Sequence, residues 1–258
     1  MGILNVTPDS SFDQGRWFDF DLALQRGRQI FKEGADMIDI GGESTRPGAP
    51  PVPQEEELKR VIPVLQALKK EIPIPFSIDT MKPVVAAEAL NAGATFINDV
   101  TGFADQEMRH LAAEAGVPIC VMHMLETPAT MQNAPVYPDG IIPFLLQWFS
   151  RRIDLLLAAG VKEGQIYLDP GIGFGKTVAH NVEIVQNLQS IKGLGFPVLI
   201  GLSRKSFLGK ILQKTYPELL SASLVANTLA ILAGVDIIRV HDVAEHRDAL
   251  KVMQFFTP

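Results

Sequence analysis

Eight short apolar runs recur along this chain, and nearly every one stops on a polar or charged residue. They read Ile3–Leu4 into Asn5, Met37–Ile40 into Gly41-Gly42-Glu43, Phe76–Ile78 into Asp79 and Phe96–Ile97 into Asn98-Asp99. Then come Ile119–Met122 into His123, Ile166–Leu168 into Asp169, Val198–Gly201 into Ser203-Arg204-Lys205, and Ile237–Val240 around Arg239 and His241. Short apolar runs alternating with helical stretches imply βα units and a parallel sheet. Eight such units in 258 residues is the size of one (β/α)8 TIM barrel, so an α/β chain with a single domain over 1–258 is expected. In that fold the C-terminal ends of the strands form the active site. The acids, amides and bases at those ends are therefore expected to converge on one pocket. The first run begins at Met1 itself, so a further N-terminal segment is expected ahead of it.

A hydrophobic content of 47% supports a large core, and a net charge of −6 is mildly acidic. With no basic tract, nucleic acid is not an expected partner, and any anionic ligand must meet locally arranged positive charge. No apolar run reaches the length of a membrane span, and no signal peptide precedes the first strand. The single cysteine, Cys120, excludes an internal disulfide and fits a reducing, cytoplasmic setting. It lies inside the fifth apolar run and reads as a small core residue rather than a nucleophile.

Helices are expected over 21–33, 55–70, 83–91 and 106–115, from apolar residues at helical spacing and from glycines near their ends. Two loops after strands one and two, 7–19 and 42–53, are longer than ordinary βα loops and lie on the catalytic face. Both are expected to act as lids.

Among the strand ends, Asp79 can be a helix N-cap before Pro83 or a ligand-binding carboxylate. Together with Asn98-Asp99 and Asp169 it could bind a flat, nitrogen-rich ring, because carboxylates and amides satisfy paired donors and acceptors. The run Gly171-Ile172-Gly173-Phe174-Gly175-Lys176 lacks the spacing of a nucleotide loop, and its glycines are expected to let a ligand approach the backbone. Ser203-Arg204-Lys205-Ser206 opens a helix after strand seven, where this fold commonly binds anions. Arg239 and His241, two apart on strand eight, point to the same side. They are either structural residues or, with Lys205, a diphosphate site. Asn5 could hold a magnesium ion, which takes oxygen ligands. His110, His180 and His246 read as surface residues. No Cys/His cluster supports zinc, and no nucleophile elbow supports a serine hydrolase.

At this point the motifs resemble a known family. Met-Gly-Ile-Leu-Asn-Val-Thr-Pro-Asp-Ser (1–10), Gly-Gly-Glu-Ser-Thr-Arg-Pro-Gly (41–48), Ser-Ile-Asp-Thr (77–80) and Ile-Asn-Asp-Val (97–100) are followed by Val-Met-His-Met (121–124). Leu-Asp-Pro-Gly-Ile-Gly-Phe-Gly-Lys (168–176), Ser-Arg-Lys-Ser (203–206) and Arg-Val-His-Asp-Val (239–243) complete the set. In this order, over essentially the whole length, they resemble bacterial dihydropteroate synthases.

The resemblance implies a TIM barrel that joins 6-hydroxymethyl-7,8-dihydropterin diphosphate to p-aminobenzoate with Mg²⁺ and is inhibited by sulfonamides. It implies that Asp79, Asn98, Asp169 and Lys205 hold the pterin, that Met122 and Phe174 line its pocket, and that Gly201 also contacts substrate. Arg239 would pack on the pterin face. Asn5, Thr45, Arg239 and His241 would hold the diphosphate, with Mg²⁺ on Asn5. Ser206 would receive the p-aminobenzoate carboxylate, and Arg46 and Pro47 would belong to the second lid. The residues it implies for catalysis are Asp13, Arg46, Asp79, Lys205, Arg239 and His241. It also suggests a homodimer. One departure is the first loop, Asp9-Ser10-Ser11-Phe12-Asp13, where the family usually places phenylalanine directly after the first Asp-Ser. The alternatives are a methyl-transferring pterin barrel, which would not need the cationic cluster, and a non-catalytic pterin-binding protein.

Overall fold

The computed structural model describes residues 1–7 and 20–256. Each of the eight apolar runs forms a strand. They are β1 (Gly2–Asn5), β2 (Ile38–Gly41), β3 (Phe76–Asp79), β4 (Phe96–Asp99), β5 (Ile119–Met122), β6 (Ile166–Asp169), β7 (Leu199–Ile200) and β8 (Ile237–Ile238). The first six pair in parallel in chain order, and β7 pairs in parallel with β8. Two bridges, Leu168 to Val198 and Gly2 to Val240, join these sheets at both edges and close the barrel. The Ile3 N–H to Val240 carbonyl bond (3.0 Å) and the Val240 N–H to Met1 carbonyl bond (2.9 Å) seal the second seam. Closure leaves no open sheet edge, which removes the usual route to edge-to-edge association.

The intervening helices are α1 (Phe20–Lys32), α2 (Gln54–Glu71), α3 (Pro83–Asn91), α4 (Gln106–Ala115) and α5 (Ile141–Ala158). Then come α6 (Val178–Gln186), α7 (Leu188–Lys192), α8 (Ser206–Leu212), α9 (Leu220–Leu232) and α10 (Val243–Met253). α1 and α2 each lie within a residue of the expected bounds, and α3 and α4 match them. Among the described residues no helix is long and apolar enough to cross a membrane. Strands seven and eight are shorter than the apolar runs that announce them, although the Arg239 N–H still bonds the Ile200 carbonyl (2.9 Å).

Strand periodicity divides the core in two. Leu4, Ile38, Ile40, Phe76, Ile78, Ile97, Val121, Ile166, Leu168 and Ile200 face outward and pack beneath the helices in one continuous cluster. The opposite phase faces the barrel axis. Its lower part is a separate cluster of Met1, Phe96, Cys120 and Leu199, with Met37, Tyr167 and Ile237 packed against it. Phe96 and Tyr167 meet there with ring centroids 5.4 Å apart. Cys120 is fully buried in this plug, and burial pushes its thiol pKa well up, so it is core filler as the sequence suggested. The plug closes the barrel below, with Ser77 in register with Phe96 at the same level.

Candidate active site

Two residues further along the same inward phase, the side chains change character. Asn98 on β4 donates through Nδ2 to Asp39 Oδ2 on β2 (3.1 Å). Arg239, after β8, donates through Nε to the same Asp39 oxygen (2.6 Å) and through a terminal nitrogen to Asp79 Oδ2 on β3 (2.7 Å). β2 and β4 are not neighbours, nor are β3 and β8, so these bonds cross the interior and lie in a single polar layer. Burial opposes the charge on Arg239, but Asp39 and Asp79 more than offset it, and its pKa is raised. The same burial pushes Asp79 up to about 7 against the pull of Arg239. A buried charge pair survives only with such added partners, because removing one member leaves the other uncompensated.

Asp169 ends β6 in the same layer, buried, with its Oδ1 accepting from the Gly171 N–H (2.7 Å). Burial raises its pKa, with Gly171 and Lys205 pulling the other way. Lys205 lies with its ammonium 4.4 Å from the Phe174 ring centroid, a cation–π distance. Burial lowers its pKa to about 8, and Asp169 works against that fall. Burial lowers His241 to about 3, with the charge of Arg239 adding to the effect. Its Nδ1 lies 3.1 Å from Ser203 Oγ, which also accepts the His241 backbone N–H (3.2 Å). Arg46 of the second loop has a smaller influence in the same direction on both Lys205 and His241, so its charge reaches the mouth.

Met122 and Gly201 share the inward phase, and Phe174 lies above them after β6. Thr45 is half-buried, while Arg46 and Pro47 are exposed. Ser206 is the first residue of α8 and is exposed. Asn5 ends β1 half-buried, and its amide makes no side-chain hydrogen bond among the described residues. A neutral amide oxygen of this kind suits a hard cation that shares phosphate oxygens. Asp13 and the Ser11-Phe12 departure lie outside the described residues.

Several expectations fail for one physical reason: a strand reverses face at every residue. Asp99 and His123 each follow an inward residue and so point into the helix layer, away from the pocket. Asp99 accepts from the Thr101 N–H (2.8 Å) and the Phe103 N–H (2.9 Å), organising a turn in which Phe103 takes a left-handed φ of 61°. His123 is buried among Tyr137, Phe144 and Trp148, and burial drops its pKa to about 2. Its Nδ1 meets Lys176 Nζ at 2.9 Å, so Lys176 is held inside the protein and does not serve a phosphate.

Two glycines of the run are also reassigned. A Cβ on Gly171 would lie 1.9 Å from the His123 carbonyl oxygen, and one on Gly175 would lie 2.4 Å from Leu125 Cβ. With φ of 68° and 67°, these two glycines let the β6 loop pack on the β5 loop, while Gly173 (φ 83°) faces Lys205, where an added Cβ would lie 3.6 Å from Lys205 Cδ. Asp79 is not a helix cap either, since α3 is entered at Lys82, and the Lys82 N–H is taken by Thr80 Oγ1 (3.2 Å). His246 is buried, not on the surface, and its Nε2 lies 2.9 Å from Asn227 Nδ2.

Asp39 is the residue that sequence reasoning missed. It sits inside an apolar run instead of at its end, yet it shares its phase with Met37 and Gly41. A cavity of about 280 Å³ opens at the other end of the barrel, around Met1, Met37 and Arg247, and is lined by none of Asp39, Asp79, Asn98, Asp169, Lys205 and Arg239.

Comparison with known proteins supplies the family. The model of the pterin binding enzyme family matches residues 1–241. A dihydropteroate synthase of Synechocystis sp. is 46% identical over 254 residues, covering 98% of this chain and 88% of that protein. The structure of Yersinia pestis dihydropteroate synthase with a sulfonamide drug superposes with a TM-score of 0.94 at 40% identity, covering 99% of this chain and 92% of that one. The Xanthomonas albilineans dihydropteroate synthase with 4-aminobenzoic acid gives 0.92 at 42% identity, covering 100% and 93%.

Proposed function

The chain belongs to the pterin-binding enzyme family, and we propose that it works as a dihydropteroate synthase. It condenses 6-hydroxymethyl-7,8-dihydropterin diphosphate with p-aminobenzoate, giving 7,8-dihydropteroate and diphosphate. The observation that carries this reading is the cross-barrel layer of Asp39, Asp79, Asn98 and Arg239 with Asp169 and Lys205 beside it. Such a ring of carboxylates, an amide and cations fits the alternating donors and acceptors of a flat pterin. Asp169 accepts from ring N–H groups, Asn98 and Asp79 meet the remaining edge, and Lys205 donates. Met122, Phe174 and Gly201 bound the slot, and Arg239 packs on the ring face.

The diphosphate end of the substrate lies toward Arg239, His241, Thr45 and Asn5. Arg239 supplies fixed positive charge, and His241, neutral in the free protein, supplies a ring donor. Mg²⁺, held through Asn5 and diphosphate oxygens, would neutralise charge on the departing diphosphate. The chain's own part is to bind the leaving group where negative charge grows, which is where preorganised donors have their greatest effect. The electron-rich ring stabilises the methylene cation left behind, so departure can precede attack. The aniline nitrogen is a neutral nucleophile and needs no strong base.

Ser206 at the start of α8 receives the carboxylate of p-aminobenzoate, and sulfonamides compete there. Arg46, Pro47 and the first loop, with Asp13, exclude water from the cation. Both p-aminobenzoate and sulfonamides should therefore bind measurably only after the pterin diphosphate.

A homodimer and a cytoplasmic setting belong to the same reading. Val225, Leu229 and Leu232 form an exposed apolar stripe along α9 that a second copy could cover, and the single buried thiol suits a reducing compartment.

The test is an assay of diphosphate and dihydropteroate formation with and without p-aminobenzoate. Stoichiometric adduct that requires p-aminobenzoate supports the reading. Pterin binding without turnover, or methyl transfer from a methylated folate, would replace it. Asn5→Ala should raise the Mg²⁺ concentration needed for half-maximal rate, and equal rates in excess chelator would remove the metal from the account.

A further inference from the structure

We propose that Lys82 is a positioning residue for the second lid, acting through Glu43 to fix the loop that carries Thr45, Arg46 and Pro47. This rests on the dihydropteroate synthase reading. Lys82 Nζ donates to Glu43 Oε2 and also to Glu57 Oε2 at 2.5 Å. The pairs are no solvated surface contacts, since the side chains are 23% exposed for Lys82, 6% for Glu43 and 0% for Glu57. Glu43 uses its other oxygen to accept the Val52 N–H at 2.9 Å. One carboxylate therefore clasps both ends of the loop from 43 to 52.

The clasp is anchored on rigid ground. Lys82 stands at the elbow between β3 and α3, three residues beyond Asp79. Glu57 is in α2, with its Oε1 buried and without a partner among the described residues. Gly42 lies pressed on α2, where an added Cβ would meet Val61 Cγ1 at 2.7 Å and Glu57 Cγ at 2.9 Å. Arg60 holds the Gly42 carbonyl at 2.9 Å. The tip of the loop meets the neighbouring β5 loop through the Gly48 N–H and the Pro128 carbonyl, 3.1 Å apart.

Two buried carboxylates thus share one ammonium. Without that charge they repel, and only Glu43, which sits on a loop, can move away. The loop then loses its base, while the pterin layer across the barrel keeps every bond described above. Lys82 itself need not touch substrate.

The experiment compares Lys82→Met, Lys82→Arg and Glu43→Gln with the wild-type enzyme. It measures the KM for p-aminobenzoate, the calorimetric affinity for 6-hydroxymethyl-7,8-dihydropterin, which lacks the diphosphate that Thr45 meets, and the ratio of dihydropteroate formed to diphosphate released. Lys82→Met and Glu43→Gln should raise the p-aminobenzoate KM about tenfold or more, since small misplacement of an orienting loop has effects of that order. The ratio should fall below one, because water reaches the cation, while pterin affinity stays within about twofold of wild type. Lys82→Arg should restore both. An unchanged ratio and KM would overturn the proposal, as would pterin affinity and KM worsening together. Glu43→Gln keeps the shape and the Val52 bond, so it decides the matter if Lys82→Met fails to fold. A wild-type enzyme that makes no dihydropteroate would instead defeat the underlying function, and that control tells the two failures apart.

Discussion

The lower and upper parts of the barrel interior are built from the same strands at the same phase, yet one is apolar and the other carries the charged and amide side chains. Below, Phe96, Cys120, Leu199 and Tyr167 fill the barrel with apolar volume. Two residues on, Asn98, Met122, Gly201 and Asp169 line the mouth, joined by Asp39, Asp79 and Arg239. The contrast teaches that phase decides whether a residue can enter the site, and depth decides whether it stabilises the fold or meets a ligand. The polar layer is expensive: buried carboxylates with raised pKa values are tolerated because the apolar plug beneath them and the helix layer around them hold the fold.

The sharpest way to break the comparison is to cut into each layer in turn. Phe96→Ala in the lower layer removes a fully buried ring and should cost about 3–5 kcal/mol of stability, the usual range for such truncations. Chemical denaturation would measure it, and a loss below 1 kcal/mol would mean that the plug is not a packed core. Asp169→Ala in the upper layer should cost less stability than Phe96→Ala, because relief of a buried carboxylate offsets the loss of the Gly171 N–H bond and of the charge facing Lys205. It should weaken pterin binding by about 1.5–3 kcal/mol for each charge-assisted bond lost, with p-aminobenzoate contacts spared. Unchanged pterin affinity by calorimetry would contradict it.

A smaller effect sharpens the electrostatic side. Asp79 has a folded pKa of about 7 against its ordinary 3.8. Folding therefore favours its protonated form, and the stability this contributes is full below about pH 4 and is lost as pH rises through 7. Asp79→Asn should lose that part of the slope, so its stability should fall less than wild type between these limits. Parallel curves for the two proteins would show that the Arg239 pairing holds Asp79 ionised throughout.

Much of this was legible in the chain. The strand ends were, because an apolar run stopping on Asp79 or Asp169 marks where the chain leaves the core. Asp39 is hidden, because it interrupts the run Met37–Ile40 from within, although a period of two counted back from Gly41 reaches it. Asp99 and His123 look like site residues only if every polar strand end is equivalent, and alternate residues of a strand face opposite sides. The Lys82 clasp was illegible for another reason. It joins long side chains from three elements whose approach depends on how α2 and α3 pack, and no local pattern carries that distance.

The most direct test of the account follows methionine methyl groups by NMR as pterin diphosphate is added. Met122 and Met37 lie on the same inward phase, one in the upper layer and one against the lower plug. The account predicts a large shift for the Met122 methyl on saturation and almost none for Met37. A shifted Met37 with a silent Met122 would move the ligand to the other end of the barrel and contradict the central claim.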